Sequence, residues 1–289
     1  MSKHKARTSI SKITVNNSTY TDEKDICNRL NDYFCDVGKN LASSINCQPH
    51  DFTKYCHLPN NNSMFCPPAT GAEILKIILS FRNNKSPGPD NIAPKLIKLI
   101  SADIIEPLLY IFNLSFSSGQ VPQSLKIAKV IPLYKKGGKD IPGNYRPISL
   151  LSIFDKILEK LMFNRIYSFL VQNDILYKYQ FGFRKGYSTS LALVELVDTI
   201  YMHCDNRDTV IGMFFDLQKA FDTVDHSILL YKMNNYGIRG IVLKWFHNYL
   251  SNRKQFVSIG NSKSDLQNVT CRCTSGLSSW PITVSTVYK

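Results

Sequence analysis

FFDLQKAFDTVDH, residues 214–226, drives an acid, Asp216, into the end of an apolar run, then adds an aromatic at Phe221 and two more acids at Asp222 and Asp225. TVIGMFFDL, 209–217, has the shortness and the β-branched and aromatic character of a buried strand, and the turn-like CDNRD precedes it. A carboxylate at the end of such a strand is costly to ionise unless it is paired or holds a cation. Asp216 is therefore a candidate metal ligand; the alternative is a cap just past the strand. Asp225, directly ahead of HSILL, is most simply the N-cap of a following helix, and Asp222 caps, pairs with Lys219 or supports the turn.

Working outward, periodicity and caps predict a run of helices. Ile26, Leu30, Phe34, Val37, Leu41 and Ile45 recur at helical spacing behind Asp22 and Glu23, giving one amphipathic helix over 22–46. Residues 47–68, with Pro59 and three asparagines, read as a linker. Thr70 and Glu73 have capping-box spacing ahead of a second helix, which ends before the turn-rich SPGPD at 86–90. Helices over 93–100, with Pro94 in the first turn, and 102–118, stopped by Gly119, come next. AKVIPLY, 128–134, reads as a strand, KKGGKDIPGNYRP as a long basic loop, and the segment after Ser152 as a long helix. Helices over 227–236 and 240–250 and a hairpin of QFVSIG and LQNVTC around GNSKSD complete an α+β class.

Charge narrows the partners. The 289 residues carry 35 Lys and Arg against 22 Asp and Glu, and the net +13 favours a polyanion such as nucleic acid or an anionic membrane surface. No apolar run reaches the length of a membrane span, and the opening MSKHKARTSISK lacks the apolar core of a secretory signal, so an intracellular protein, nuclear or cytoplasmic, is expected. The eight cysteines form no CxxC pair, and reduced thiols are the expected state.

Two basic constellations stand out. Lys135, Lys136 and Lys139, with Arg146 after the turn, could reach a triphosphate from more than one side; on spacing alone they read as a solvated charged loop, which Gly137 and Gly138 would let move. No GxxxxGK[ST] loop is present. In YQFGFRKGYSTS, 179–190, Phe181, Phe183 and Tyr187 interleave with Arg184 and Lys185, a pattern suited to base stacking beside phosphate contacts or to ordinary helix packing.

NNKSPGPDNIAPKLIK, SFSSGQVPQSLKIAKVIPLYKKG, PGNYRPISLLSIFDKILEKLMFNRI, YQFGFRKGYSTSLALVELVD and FFDLQKAFDTVDH, in this order, resemble the successive blocks of non-LTR, LINE-type retrotransposon reverse transcriptases of jockey and CR1-like flavour. The likeness covers about residues 69–271, and its specificity lies in the ordered agreement of five blocks. It implies a right-hand polymerase fragment, fingers and proximal palm, with a helical N-terminal extension: a basic flexible stretch at 1–20, an upstream helix and linker at 21–68, and the reverse transcriptase domain at 69–271.

The resemblance also implies roles. Asp216 matches the first metal-binding aspartate of the palm, with the carbonyl of Leu217 as a further ligand, and Phe221 matches the aromatic that excludes a ribose 2′-OH. Arg146, with Lys135 or Lys136, matches the cations on the incoming triphosphate; Gln180, Gly182 and Arg184, with Lys185 beside them, match a block near the nucleic acid. RNA template, DNA primer and dNTP would be the partners. The implied reaction is attack of a primer 3′-OH on the nucleotide α-phosphorus, for which two Mg²⁺ ions about 4 Å apart stabilise attacking and leaving oxygens.

One aspartate cannot hold both ions. Members of the family continue with a GVPQGS-like block and a strand pair bearing two adjacent aspartates, whereas these residues contain no Asp-Asp pair and end RCTSGLSSWPITVSTVYK, 272–289. One permissible back-translation of that tail, displaced by one nucleotide, reads GVPQGSVLGPLLFLLFI, so an out-of-register tail from Arg272 is expected. A nucleotide sequence unable to encode GVPQGS in the next frame removes that expectation. No endonuclease domain is found upstream, and the reading is of a remnant that binds Mg²⁺ weakly at most and does not polymerise alone. The alternative is a noncatalytic RNA-binding module.

Overall fold

A computed structural model describes residues 10–43, 52–55, 59–216 and 224–269. The chain opens with a small hairpin, β1 (Ile13–Val15) and β2 (Ser18–Tyr20), followed by helix α1 (Glu23–Ser43). The hairpin lies in the stretch expected to be a flexible tip. Its signal is ITVNNSTY: Asn16 and Asn17 both take positive φ (49° and 64°), as a two-residue turn matched to strand twist requires. Ile13 beneath it is fully buried.

Helices α2 (Gly71–Ser80), α3 (Pro94–Leu99) and α4 (Ser101–Ser118) arise where local signals place them. The Thr70 hydroxyl accepts the Glu73 N–H at 3.2 Å, and Gly119 closes α4 at φ 67°. Strand β3 (Ile127–Tyr134) runs antiparallel to β4 (Tyr145–Leu150), and helix α5 (Ile153–Gln172) follows, capped by the Ser152 hydroxyl. Residues 145–147 are therefore strand and not the end of a basic loop. Pro132 faces Pro147 across the pair, which no ladder bond demanding their missing N–H groups would allow, and Pro132 lies beyond the last β3 residue that pairs with β5.

Helix α6 (Thr189–Asp205) precedes α7 (His226–Asn235), α8 (Gly240–Leu250), β5 (Arg253–Ile259), β6 (Ser262–Lys263) and β7 (Gln267–Val269). Asp225 caps α7 by accepting the Ser227 and Ile228 N–H groups at 2.7 and 3.1 Å, as expected. The hairpin around GNSKSD also forms, with β5 antiparallel to β6 and β7. Through β5 parallel to β3, the sheet runs β4-β3-β5-β6, with β7 also on β5.

Two cores hold these elements. The larger gathers Ile74 and Ile78 of α2, Phe112 of α4, Leu158 and Leu161 of α5, and Trp245 and Tyr249 of α8. The smaller seats Ile26, Leu30 and Phe34 of α1 on Val130, Tyr145, Val257 and Ile259 of the sheet. Asn31 pins this helix: its amide donates to the Asp265 carbonyl at 3.0 Å, and its side-chain oxygen accepts from Gln255 at 3.0 Å. The free thiols of Cys27 and Cys35 are buried there too. Cys47, Cys56, Cys271 and Cys273, with the tail 272–289, lie outside the described residues.

The strand expected at 209–217 does not form over 209–216; Leu217 lies outside the described residues. Phe214 and Phe215 are 85% and 86% exposed, and the described residues offer this run no neighbouring strand. A single strand without ladder partners leaves its backbone groups to water and gains nothing from its apolar side chains. Helix α6 shares this condition: its Ser188 cap is made, yet none of its side chains is buried.

Tight junctions fix the helical layer. Gly237 takes φ 95°, and a Cβ there would sit 2.1 Å from the Asn62 carbonyl oxygen. Gly237→Ala is expected to lower stability by about 2 kcal/mol or more, read by urea denaturation, because both the backbone region and the space are denied to alanine.

Candidate nucleic-acid and nucleotide interface

The β3–β4 hairpin presents the first cationic group. Its register sets Leu133 opposite Arg146 and Tyr134 opposite Tyr145. The loop between the strands is fastened: Tyr145 donates its hydroxyl to the Lys139 carbonyl at 2.6 Å, Tyr134 to the Gly137 carbonyl at 2.5 Å, and the Asn144 amide to the Gly138 carbonyl at 2.9 Å. Gly137 and Gly138, expected to let the loop move, instead admit close packing; a Cβ on Gly137 would meet the Asn144 amide nitrogen at 2.6 Å. Lys135, Lys136, Lys139 and Arg146 are all exposed, and none is in an ion pair among the described residues. Four like charges held on a braced hairpin, against the one acid Asp140 in its loop, are suited to a polyanion.

The same alternation extends this surface. Residues 129, 131 and 133 of β3, 146, 148 and 150 of β4, and 254 and 256 of β5 share the sheet face opposite Val130 and Val257, which α1 covers. Leu133, Arg146, Ile148 and Lys254 of that face are exposed. Lys129 and Lys254 thus join Arg146 on one open face. The sequence reading missed both, although their one-residue offset from the alternating apolar positions in AKVIP and RKQFV was the signal.

The 177–188 loop forms a second, compact group. Arg184 donates to the Tyr177 carbonyl at 3.0 Å and lies over the Tyr187 ring at 4.2 Å, so its guanidinium braces the loop. Phe181 packs edge-on against Tyr187, the Gln180 amide donates to the Gly182 carbonyl at 3.4 Å, and space around Gly182 is open. Phe183 and Gly186 take positive φ, which turns the chain sharply on both sides of Arg184. The Lys185 backbone N–H donates to the Tyr167 hydroxyl of α5 at 3.1 Å, which ties this end of the loop to α5.

Asp216 is exposed at the end of the unpaired run, while Leu217 and Phe221 lie outside the described residues. Among the described residues, no group of three or more His, Cys, Asp or Glu side chains could hold a metal ion. A lone exposed carboxylate does not fit a divalent ion that must be gripped by several oxygens, and far less a pair of them.

Also among the described residues, no helix is long and apolar enough to cross a membrane. A mixed helix-and-sheet domain thus braces exposed lysines and arginines on a hairpin, an open sheet face and a loop. Residues 133–288, more than half of the chain, match the family model described as reverse transcriptase (RNA-dependent DNA polymerase), and the chain belongs to that family. Its relatives place it among the reverse transcriptases of non-LTR retrotransposons. It is 34% identical over 213 residues to the probable RNA-directed DNA polymerase from transposon BS of Drosophila melanogaster, covering 71% of this chain and 23% of the relative. To the RNA-directed DNA polymerase from mobile element jockey of the same fly it is 30% identical over 217 residues, 75% of this chain and 24% of the relative. The Pol polyprotein of type-1 retrotransposable element R1 of Bradysia coprophila is 31% identical over 204 residues, 68% of this chain and 19% of the relative. The chain thus spans about a quarter or less of the length of these relatives.

Proposed function

We propose that these residues form the fingers and the near part of the palm of an RNA-directed DNA polymerase, able to grip an RNA template but not, by themselves, to add nucleotides. The observation that carries the reading is the contrast between a well-built cationic surface and an exposed Asp216 that no other metal-ligating side chains join among the described residues. On this reading Lys135, Lys136 and Arg146 meet the triphosphate or the template backbone, and Gln180, Gly182 and Arg184 border the nucleic acid. Leu217 and Phe221 keep the roles that the family motif gives them. Reverse transcriptases work with divalent metal ions, which when bound stabilise the attacking and leaving oxygens. Neither the sequence, which lacks an Asp-Asp pair, nor the described residues supply the second carboxylate pair that would cage them.

Primer extension with the purified 289-residue polypeptide in Mg²⁺ is expected to give no incorporation above background, and Asp216→Ala to change nothing. Incorporation that Asp216→Ala abolishes would falsify the inactivity. Filter binding to single-stranded RNA is expected to weaken steeply with salt, the log–log slope losing about 0.7 for each phosphate contact removed by Lys136→Gln or Arg146→Gln.

A further inference from the structure

A groove of about 690 Å³ runs between α2 and α5. Lys76 and Ser80 of α2, Lys160, Phe163 and Tyr167 of α5, and Lys185 of the 177–188 loop line it. Three cations therefore converge from three segments on one depression. Glu73 also borders the groove, but Arg165 holds both of its oxygens at 3.0 Å, so its charge is already answered. None of the three lysines is in an ion pair among the described residues.

The lysines are not simply fanned into solvent. The Lys160 ammonium sits 4.7 Å over the Phe163 ring, and burial together with the charge of Lys185 pushes its pKa down. The two lysines thus line one depression beside an aromatic wall with their charges acting on each other, an arrangement that an anion relieves. Phe163 and Tyr167, one helical turn apart, stack at 5.7 Å with planes 28° apart, and the Tyr167 hydroxyl ties down the Lys185 backbone at 3.1 Å. The groove therefore offers phosphate-seeking charges beside half-buried rings that can accept a base face, the pairing that single strands use.

We propose that the α2–α5 groove is a second nucleic-acid site, which takes a single-stranded RNA segment with its phosphates on Lys76, Lys160 and Lys185 and a base against Phe163 and Tyr167. It deepens the RNA-binding reading above and assigns Lys185 to this groove, apart from Gln180, Gly182 and Arg184. The strand would enter here before or after crossing the open sheet face, so both surfaces would contribute to the salt dependence of one complex.

The test is fluorescence anisotropy of a short labelled oligo(U) with the full chain, over a salt series. The triple variant Lys76→Gln, Lys160→Gln, Lys185→Gln is compared with Lys136→Gln, Arg146→Gln, all matched to wild type by circular dichroism and melting. The triple variant is expected to bind at least tenfold more weakly at low salt, with the log–log slope smaller by about 2. Tyr167→Leu is expected to weaken binding about tenfold with the slope unchanged, while Tyr167→Phe restores it. If the triple variant binds as wild type does while the Lys136, Arg146 variant is weakened, the groove is not a site and the RNA-binding reading survives. Wild type that binds no oligo(U) overturns both. Phosphatidylserine vesicles that bind wild type but not the triple variant, with oligo(U) binding unaffected, would make the groove a membrane contact and overturn the proposal.

Discussion

Arg165→Ala is expected to destabilise the protein by about 2–3 kcal/mol, the cost of losing a buried guanidinium's charge-assisted hydrogen bonds to a partly exposed carboxylate and to buried carbonyls. Arg165 is nearly enclosed between α5 and the chain entering α2. Its two terminal nitrogens bind the two Glu73 oxygens at 3.0 Å each, and its remaining bonds go to the carbonyls of Pro67 (2.8 Å), Pro68 (3.1 Å) and Leu161 (2.8 Å). The guanidinium also lies 5.2 Å over the Phe116 ring. Alanine would leave the Glu73 carboxylate and three carbonyls to find water in a packed junction. Arg165→Lys keeps the charge and loses the fork, so it should recover only part of the loss. Equilibrium denaturation in urea reads both. A loss below about 1 kcal/mol for Arg165→Ala would mean that this junction does not hold α2 to α5.

Stability is also expected to fall as pH rises from about 4 through about 6, owing to a cluster buried where α5 meets α8 and β5. Asp155 and Glu159 of α5 share one guanidinium, that of Arg253, which lies 3.5 Å from Asp155 and 4.5 Å over the Tyr249 ring. The Tyr249 hydroxyl donates to Glu159, and Tyr249 stacks on Trp245 with planes 7° apart. One Asp155 oxygen has no partner. Burial pushes the Asp155 carboxyl up from 3.8 to about 6 despite Arg253, and pushes Glu159 well above its usual range, with the charge of Asp155 acting in the same direction. Two acids against one buried cation keep a proton that the unfolded chain would release. Such groups contribute their full stability below the unfolded pKa and lose it as pH rises through the folded one. For Asp155 the window runs from 3.8 to about 6. At about 1.4 kcal/mol per unit it is worth on the order of 3 kcal/mol, and Glu159 adds a loss of the same sign. The quantity to measure is the stability difference between wild type and Asp155→Asn, Glu159→Gln across pH. A difference independent of pH would show that neither carboxyl holds its proton.

Local chemistry was legible where one segment decides its own conformation. Thr70, Ser152 and Asp225 announce helix starts because a cap needs only its own next turn, and Gly119 announces a stop for the same reason. Five ordered blocks identified the family before any contact was known. The Arg165 clasp and the Asp155, Glu159 and Arg253 cluster were not legible, since their members come from positions up to 98 residues apart. Lys160 and Lys76 carry no local signal of a shared site, since they meet only where α2 and α5 lie side by side.

Residues 209–216 mark the division most sharply. Their composition says strand, yet a strand is a property of a pair, and the described residues provide no partner for it. For Asp225, whose cap bonds reach only to Ser227 and Ile228, the sequence was sufficient by itself. Which lysines meet across a groove was decided by the tertiary structure, because Coulomb and hydrogen-bond energies depend on distance in space and not along the chain.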